Sequence, residues 1–151
     1  MNKKELEEFL YKARAQTYAG SRGIVEPLLP GTCQLEHVEG EWLYRDSYYN
    51  GRDGFVGMEG VFYQNKSVWS MSYVGHYYGI TEEELDSILK PALLHNPETR
   101  GYKDTEEQLD GYAYTCATDL NKGLDEMGGV EEIAHKGKVI YRLYYGGGLL
   151  V

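Results

Sequence analysis

The chain has 151 residues, a formal net charge of −9 and only two cysteines. That length suits one domain with its own core. The acidity opposes direct binding to nucleic-acid phosphates, and no stretch is apolar enough for a membrane-spanning helix. Fifteen tyrosines and nineteen glycines stand out. Tyrosine favours half-buried sheet faces and aromatic-lined pockets, so glycine turns between tyrosine-rich runs predict antiparallel strands.

In chain order, Asn2-x-x-Glu5 reads as a capping box. Behind it Leu6, Phe9, Leu10 and Ala13 repeat at i, i+3, i+4, i+7, one apolar helical stripe. Residues 18–31, rich in Gly and Pro, read as a long loop. Strands are expected over 34–38, 41–49, 57–63 and 67–75. Thr81-x-x-Glu84 opens a second capped helix with the stripe Leu85, Ile88, Leu89, Ala92. Pro91 and Pro97 are expected to end or kink it. Strands over 111–118, 129–135 and 138–146 complete the reading.

The second half echoes the first. At an offset of 72, Gly57 falls on Gly129, Glu59 on Glu131, Val61 on Ile133, Trp69 on Tyr141, Tyr73 on Tyr145 and Gly75 on Gly147. The helix caps and stripes recur at an offset of 79. The expectation is one α+β domain, residues 1–151, made of two pseudo-symmetric helix-plus-antiparallel-strand repeats over roughly 1–79 and 80–151. A cleft is expected at their seam.

Gln64-Asn65 and Lys136-Gly137 occupy matching two-residue turns, and Asn and Gly tolerate positive φ. Such a turn places Met58, Phe62, Trp69, Met71 and Tyr73 on one apolar face. Glu59, Val61, Tyr63, Val68, Ser70 and Ser72 then share a mixed face suited to solvent or a ligand. In the second hairpin Glu131 is expected opposite Arg142 as an exposed ion pair.

The sequence resembles a family of uncharacterised bacterial domains that occur alone or behind the helix-turn-helix segment of XRE-type regulators. The resemblance rests on Thr17-Tyr18-Ala19, Pro27-Leu28-Leu29-Pro30-Gly31, Tyr44-Arg45-Asp46-x-Tyr48, Phe55-Val56-Gly57-x-Glu59, Val68-Trp69-Ser70-Met71-x-Tyr73-x-Gly75 and Tyr145-Gly146-Gly147-Gly148. It implies a sensing module. No helix-turn-helix segment is legible in this chain, so an output would pass through a partner.

Catalytic signatures are lacking. His37, His76, His95 and His135 show no metal-ligand spacing, Gly146-Gly147-Gly148 precedes no helix that could seat a phosphate, and no serine or cysteine sits in a nucleophile motif. No cofactor is expected. Asp46, Asp53 and Glu59 cluster in sequence, a pattern that acid–base chemistry could use, but a turn at Asp53-Gly54 and a polar strand position at Asp46 account for them better. Cys33 and Cys116 lie far apart outside any CxxC, which fits a reduced, cytoplasmic protein. The leading reading is a non-enzymatic small-molecule sensor. Glu59 would be its charged anchor and Tyr44, Tyr63 and Tyr73 its walls, holding an apolar or cationic molecule. The alternatives are a protein-interaction module, including a homodimer, and an enzyme of unknown reaction. No nucleic-acid or membrane partner is expected.

Overall fold

Both helices start at the capping boxes read from the sequence. In the computed structural model, which describes residues 2–100, 104–121 and 123–151, α1 spans Lys3–Gln16 and α2 spans Glu82–His95. Glu5 Oε2 accepts from the Asn2 backbone N–H at 3.1 Å, and Glu84 Oε2 accepts from that of Thr81 at 2.7 Å. The predicted stripes are the buried faces, Leu6, Phe9, Leu10 and Ala13 on α1 and Leu85, Ile88, Leu89 and Ala92 on α2. Pro91 does not end α2, which runs on to His95. An internal proline costs about 3 kcal/mol, and burial of Ile88, Leu89 and Ala92 around it outweighs that cost.

The strands are β1 (Ile24–Val25), β2 (Cys33–Glu39), β3 (Trp42–Asn50), β4 (Gly54–Tyr63), β5 (Lys66–Tyr77), β6 (Thr105–Leu109), β7 (Tyr112–Asn121), β8 (Glu126–His135) and β9 (Lys138–Leu149). They form one nine-stranded antiparallel sheet in the order β1-β2-β3-β4-β5-β9-β8-β7-β6. Each half is a meander, and the halves join where β5 pairs with β9, Tyr73 opposite Tyr145. β1 falls inside the stretch read as loop, and β6 is the charged run Thr-Glu-Glu-Gln-Leu; neither was expected.

This architecture corrects the expected α+β class of balanced helix-plus-strand repeats. Strand residues outnumber helical ones by more than two to one. The sheet is continuous, and the helices are a thin layer on one of its faces. The reason lies at the β5–β9 pair. Neither meander ends in an open edge there, because each supplies the other's missing ladder of hydrogen bonds. α1 packs against β2 and β3, and α2 against β6 and β7. Leu6, Leu10, Leu85, Leu89, Trp69 and Tyr141 belong to a single core cluster beneath them. No helix among the described residues is long and apolar enough to cross a membrane.

The two-residue turns form with positive φ at Gln64, Asn65, Lys136 and Gly137. The face assignment holds for Trp69, Met71 and Tyr73 on β5 but fails on β4 and β8, because each hairpin carries a bulge. Val61 faces Trp69 while Phe62 faces Ser67, which leaves Val68 as an extra residue on β5. Ile133 faces Tyr141 while Ala134 faces Val139, which leaves Ile140 extra on β9. One extra residue exchanges inside and outside for everything beyond it. Met58, expected in the core, is exposed, whereas Glu59 lies opposite Met71 and is buried beneath the helices. Likewise Glu131 faces Leu143 and is buried, and Arg142 pairs with Glu132 rather than Glu131.

Candidate functional site

The bulges turn a row of acidic side chains into the helix-covered face. Asp46 on β3 and Glu59 on β4 are direct cross-strand neighbours, and both are buried. Like charges in that position repel, so something must separate their roles. Glu59 is matched: Arg14 Nε from α1 donates to its Oε2 at 2.8 Å, and Arg100 Nη1 lies 3.7 Å from its Oε1. Arg14 also donates to the Thr99 carbonyl and lies over the Trp69 ring.

Glu131, on β8, is more completely enclosed. Arg100 donates to it through Nε at 2.9 Å and Nη2 at 2.7 Å, and Tyr114 and Tyr141 donate at 2.7 and 2.8 Å. Burial alone would lower the pKa of Arg100. The charge and hydrogen bonds of Glu131, with the charge of Glu59 behind them, outweigh it and hold the guanidinium well above its ordinary value.

Asp46 has no such company. Its Oδ1 accepts from Tyr73 Oη at 2.6 Å. Among the described residues no donor reaches Oδ2. Burial first, and the charge of Glu59 second, push the carboxyl up to about 7, against the opposing pull of Tyr73, Arg100 and Arg14. Burial and the same two carboxylates also raise the phenols of Tyr44 and Tyr73 well above their usual value, so both are neutral donors at physiological pH.

A cavity of about 80 Å³ opens beside this carboxyl. One water needs roughly 10–15 Å³ on that scale, so the space holds several waters or a few heavy atoms of a ligand. Its floor is sheet, with Tyr44, Asp46, Tyr48, Phe55, Tyr73 and Tyr141; its roof is Arg14 and Ala15 of α1 and Leu85 and Leu89 of α2. The Phe55 ring packs edge-on to Tyr73 and stacked on Tyr141. A Cβ on Gly75 would sit 2.6 Å from that ring, so only glycine lets Phe55 lie flat there. Exposed Asn50 and Glu82, linked at 2.8 Å, and half-buried Tyr18 and Asp86, linked at 2.6 Å, form the rim.

Three of the four side chains singled out in the sequence, Tyr44, Glu59 and Tyr73, line this cavity. Tyr63 does not. It stands four residues along β4 from Glu59, about 13 Å at strand rise, where its ring packs on Trp42 and its hydroxyl donates to Glu41 at 3.2 Å. Asp53 is exposed on the turn before β4. Sequence reasoning missed Arg14, although it continues the Leu6–Leu10 line by one more helical turn and so borders the buried stripe. It missed Arg100 as well, for which the loop sequence carries no signal. Among the described residues no three His, Cys, Asp or Glu side chains converge as metal ligands. Cys33 on β2 and Cys116 on β7 are free thiols in opposite halves of the sheet.

Fold and site together define a class: a curtain of antiparallel strands with two helices on one face, enclosing a tyrosine-lined cavity with one open carboxyl oxygen. The model of a domain of unknown function, DUF5680, matches residues 46–150, and the chain belongs to that family. The match begins at Asp46 and includes Glu59, Tyr73, Arg100 and Tyr141, while Tyr44 and Arg14 precede it. No curated protein and no solved structure matches the chain.

Proposed function

We propose that this protein is a non-enzymatic receptor module that takes an apolar or cationic small molecule into the cavity between its helices and sheet. The observation that carries the reading is Asp46, a buried carboxyl with one donor and one oxygen left open beside an aromatic cavity. Buried polar groups are ordinarily satisfied, and exceptions cluster at functional sites. Asp46 thereby replaces Glu59 as the anchor, since Glu59 is committed to Arg14. Tyr44 and Tyr73 remain as walls.

The two halves fit the further reading of one duplicated unit. Gly57 faces Tyr73 as Gly129 faces Tyr145, and Val61 faces Trp69 as Ile133 faces Tyr141. The likeness to bacterial domains attached to XRE-type regulators supports a cytoplasmic sensing role whose DNA contact is made elsewhere.

A thermal-shift screen of small cations and apolar molecules tests the receptor reading, run on the native chain and on Ala15→Phe, which fills the roof of the cavity. A ligand at a hundred times its Kd adds about 2.7 kcal/mol, several degrees for a chain of this size. Compounds that stabilise the native chain and not Ala15→Phe support the reading. Absence of any such compound, or equal shifts in both proteins, counts against it.

A second reading, an interaction surface, is favoured by one feature of the opposite face. Tyr49, Val56, Val74 and Tyr144 lie in cross-strand register on β3, β4, β5 and β9 and are 50%, 48%, 38% and 51% exposed. Sedimentation of the native chain and of Val74→Lys tests it. A dimer that the substitution dissociates supports self-association through this row; monomers in both cases exclude it.

A further inference from the structure

We propose that the cavity selects a protonated amine, a small organic monocation with at least one N–H, bound through Asp46 Oδ2 and enclosed by tyrosine rings. This rests on the receptor reading and narrows its ligand class.

The argument is one of charge matching. α1 brings Arg14 to the buried cluster, the segment after α2 brings Arg100, β4 brings Glu59 and β8 brings Glu131. These two cations and two anions match one another. Asp46 is the fifth charge, and among the described residues no ion pair reaches it. The remaining described neighbours supply none: β2 sets apolar Leu35 opposite it, and Tyr44, Tyr73 and Tyr141 are neutral. From α2, Asp86 stands at the rim, held by Lys90 at 2.7 Å. A carboxylate ligand would bring a second unmatched anion and would have to break Arg14 from Glu59 or Arg100 from Glu131. A neutral ligand would leave the carboxyl as it stands, protonated below about pH 7 and an unpaired charge above it. A monocation completes the balance, which is the condition for keeping a charge in a buried site.

The N–H requirement follows from Oδ2, an acceptor without a donor among the described residues. The tyrosine rings add faces that attract a cation, and Glu82 and Asp86 give the rim an acidic character. The volume of about 80 Å³ fits an ammonium head with a few carbons.

Docking has a proton consequence. At pH 6 most Asp46 carboxyls are protonated, because burial and Glu59 place the group at about 7. The incoming ammonium keeps its protons, the carboxyl loses its own to solvent, and the product is an ammonium–carboxylate pair plus one released proton. The same event at pH 8 releases almost none.

The test is calorimetric titration of the full chain with isobutylammonium, isobutanol, isobutyrate and tetramethylammonium. At pH 6 it is run in two buffers of different ionisation enthalpy, which counts protons. Isobutylammonium is expected to bind at least about tenfold tighter than the other three, the scale of one charge-assisted hydrogen bond, with proton release at pH 6 that vanishes by pH 8. Asp46→Asn is expected to bring it down to the affinity of isobutanol. Should Asp46→Asn fail to fold by circular dichroism, Tyr73→Phe keeps the carboxyl and removes its donor. That variant is expected to retain amine binding and to shift proton release to higher pH. Equal or tighter binding of isobutanol or isobutyrate overturns the amine assignment and leaves the receptor reading standing. Equal binding of tetramethylammonium overturns the N–H requirement. If none of the four probes binds at millimolar concentration, the assignment falls, while the receptor reading is decided by the Ala15→Phe screen.

Discussion

Replacing Asp46 by Asn should make the protein more stable at pH 8, by an amount that shrinks as the pH falls and vanishes only at about pH 3, below both titrations. In the unfolded chain the Asp46 carboxyl titrates at about 3.9; in the folded chain burial and Glu59 raise it to about 7. The folded state therefore holds more protons than the unfolded state between those values. Unfolding free energy must then fall as pH rises through that window and level off above it. A shift of that size corresponds to roughly 4 kcal/mol, which relaxation and cavity water reduce to an expected 1–3 kcal/mol, order-of-magnitude, given the several waters the cavity can hold. Asn removes the charge while its carbonyl can still accept from Tyr73 Oη. Urea unfolding of both proteins at pH 5, 6, 7 and 8 isolates the contribution, because every other titrating group is common to them. The expected difference grows with pH and is largest at pH 8, about 2–4 °C in Tm per kcal/mol. An Asp46→Asn protein less stable than the native chain at pH 8 would refute the account of this carboxyl as unmatched.

The other buried charges should behave in the opposite sense. Arg100→Met strips two of the four donors from fully buried Glu131 and should cost about 3–5 kcal/mol by urea unfolding. Arg142→Ala, which breaks only the half-exposed pair with Glu132, should cost under about 1 kcal/mol. Gly129→Ala would set a Cβ 2.1 Å from the Ala117 carbonyl oxygen and 2.8 Å from Tyr145 Oη. Overpacking against backbone of that kind should cost about 1–3 kcal/mol, visible as a lower Tm. Thr81→Ala removes the side-chain half of the α2 capping box and should cost about 1 kcal/mol.

The helices were legible because their signals are local. A cap, an acidic residue three positions on and a stripe at helical spacing sit within one short window, as at Asn2 to Ala13 and Thr81 to Ala92. The turns at Gln64-Asn65 and Lys136-Gly137 were legible for the same reason. The core faces of β5 and β9 were legible too, but those of β4 and β8 were not. A bulge at Val68 or Ile140 leaves no mark in composition, since both are ordinary β-branched residues in apolar runs, yet it reverses which side of the sheet Glu59 and Glu131 occupy. The expected ion pair between Glu131 and Arg142 failed on that single residue. The class assignment failed on a different point: an offset between two stretches of sequence carries no information on the pairing of β5 with β9 into one sheet, which is a long-range choice. Of the site, Tyr44, Glu59 and Tyr73 were reachable from strand pattern, whereas Arg100 comes from a loop behind α2 that only the folded chain brings to Glu131.

The same register explains why the cavity lies on one side of the sheet's centre. On β7, Cys116 faces Glu131 as Asp46 on β3 faces Glu59. The Cys116 thiol is a small, weakly polar group that can be buried at little cost, and it lies 3.5 Å from Tyr145 Oη. Glu131 beside it is saturated by four donors, so nothing polar is left over. On the other side a second carboxyl stands where the thiol would be, and Tyr73 supplies it with one donor. Packing alone would favour the thiol at both positions, because an under-donated buried carboxyl opposes folding and lies beside another carboxylate. The sheet carries that cost where its inner face also fails to close against the helices, and this coincidence of unmatched charge with unfilled space is what the receptor proposal rests on.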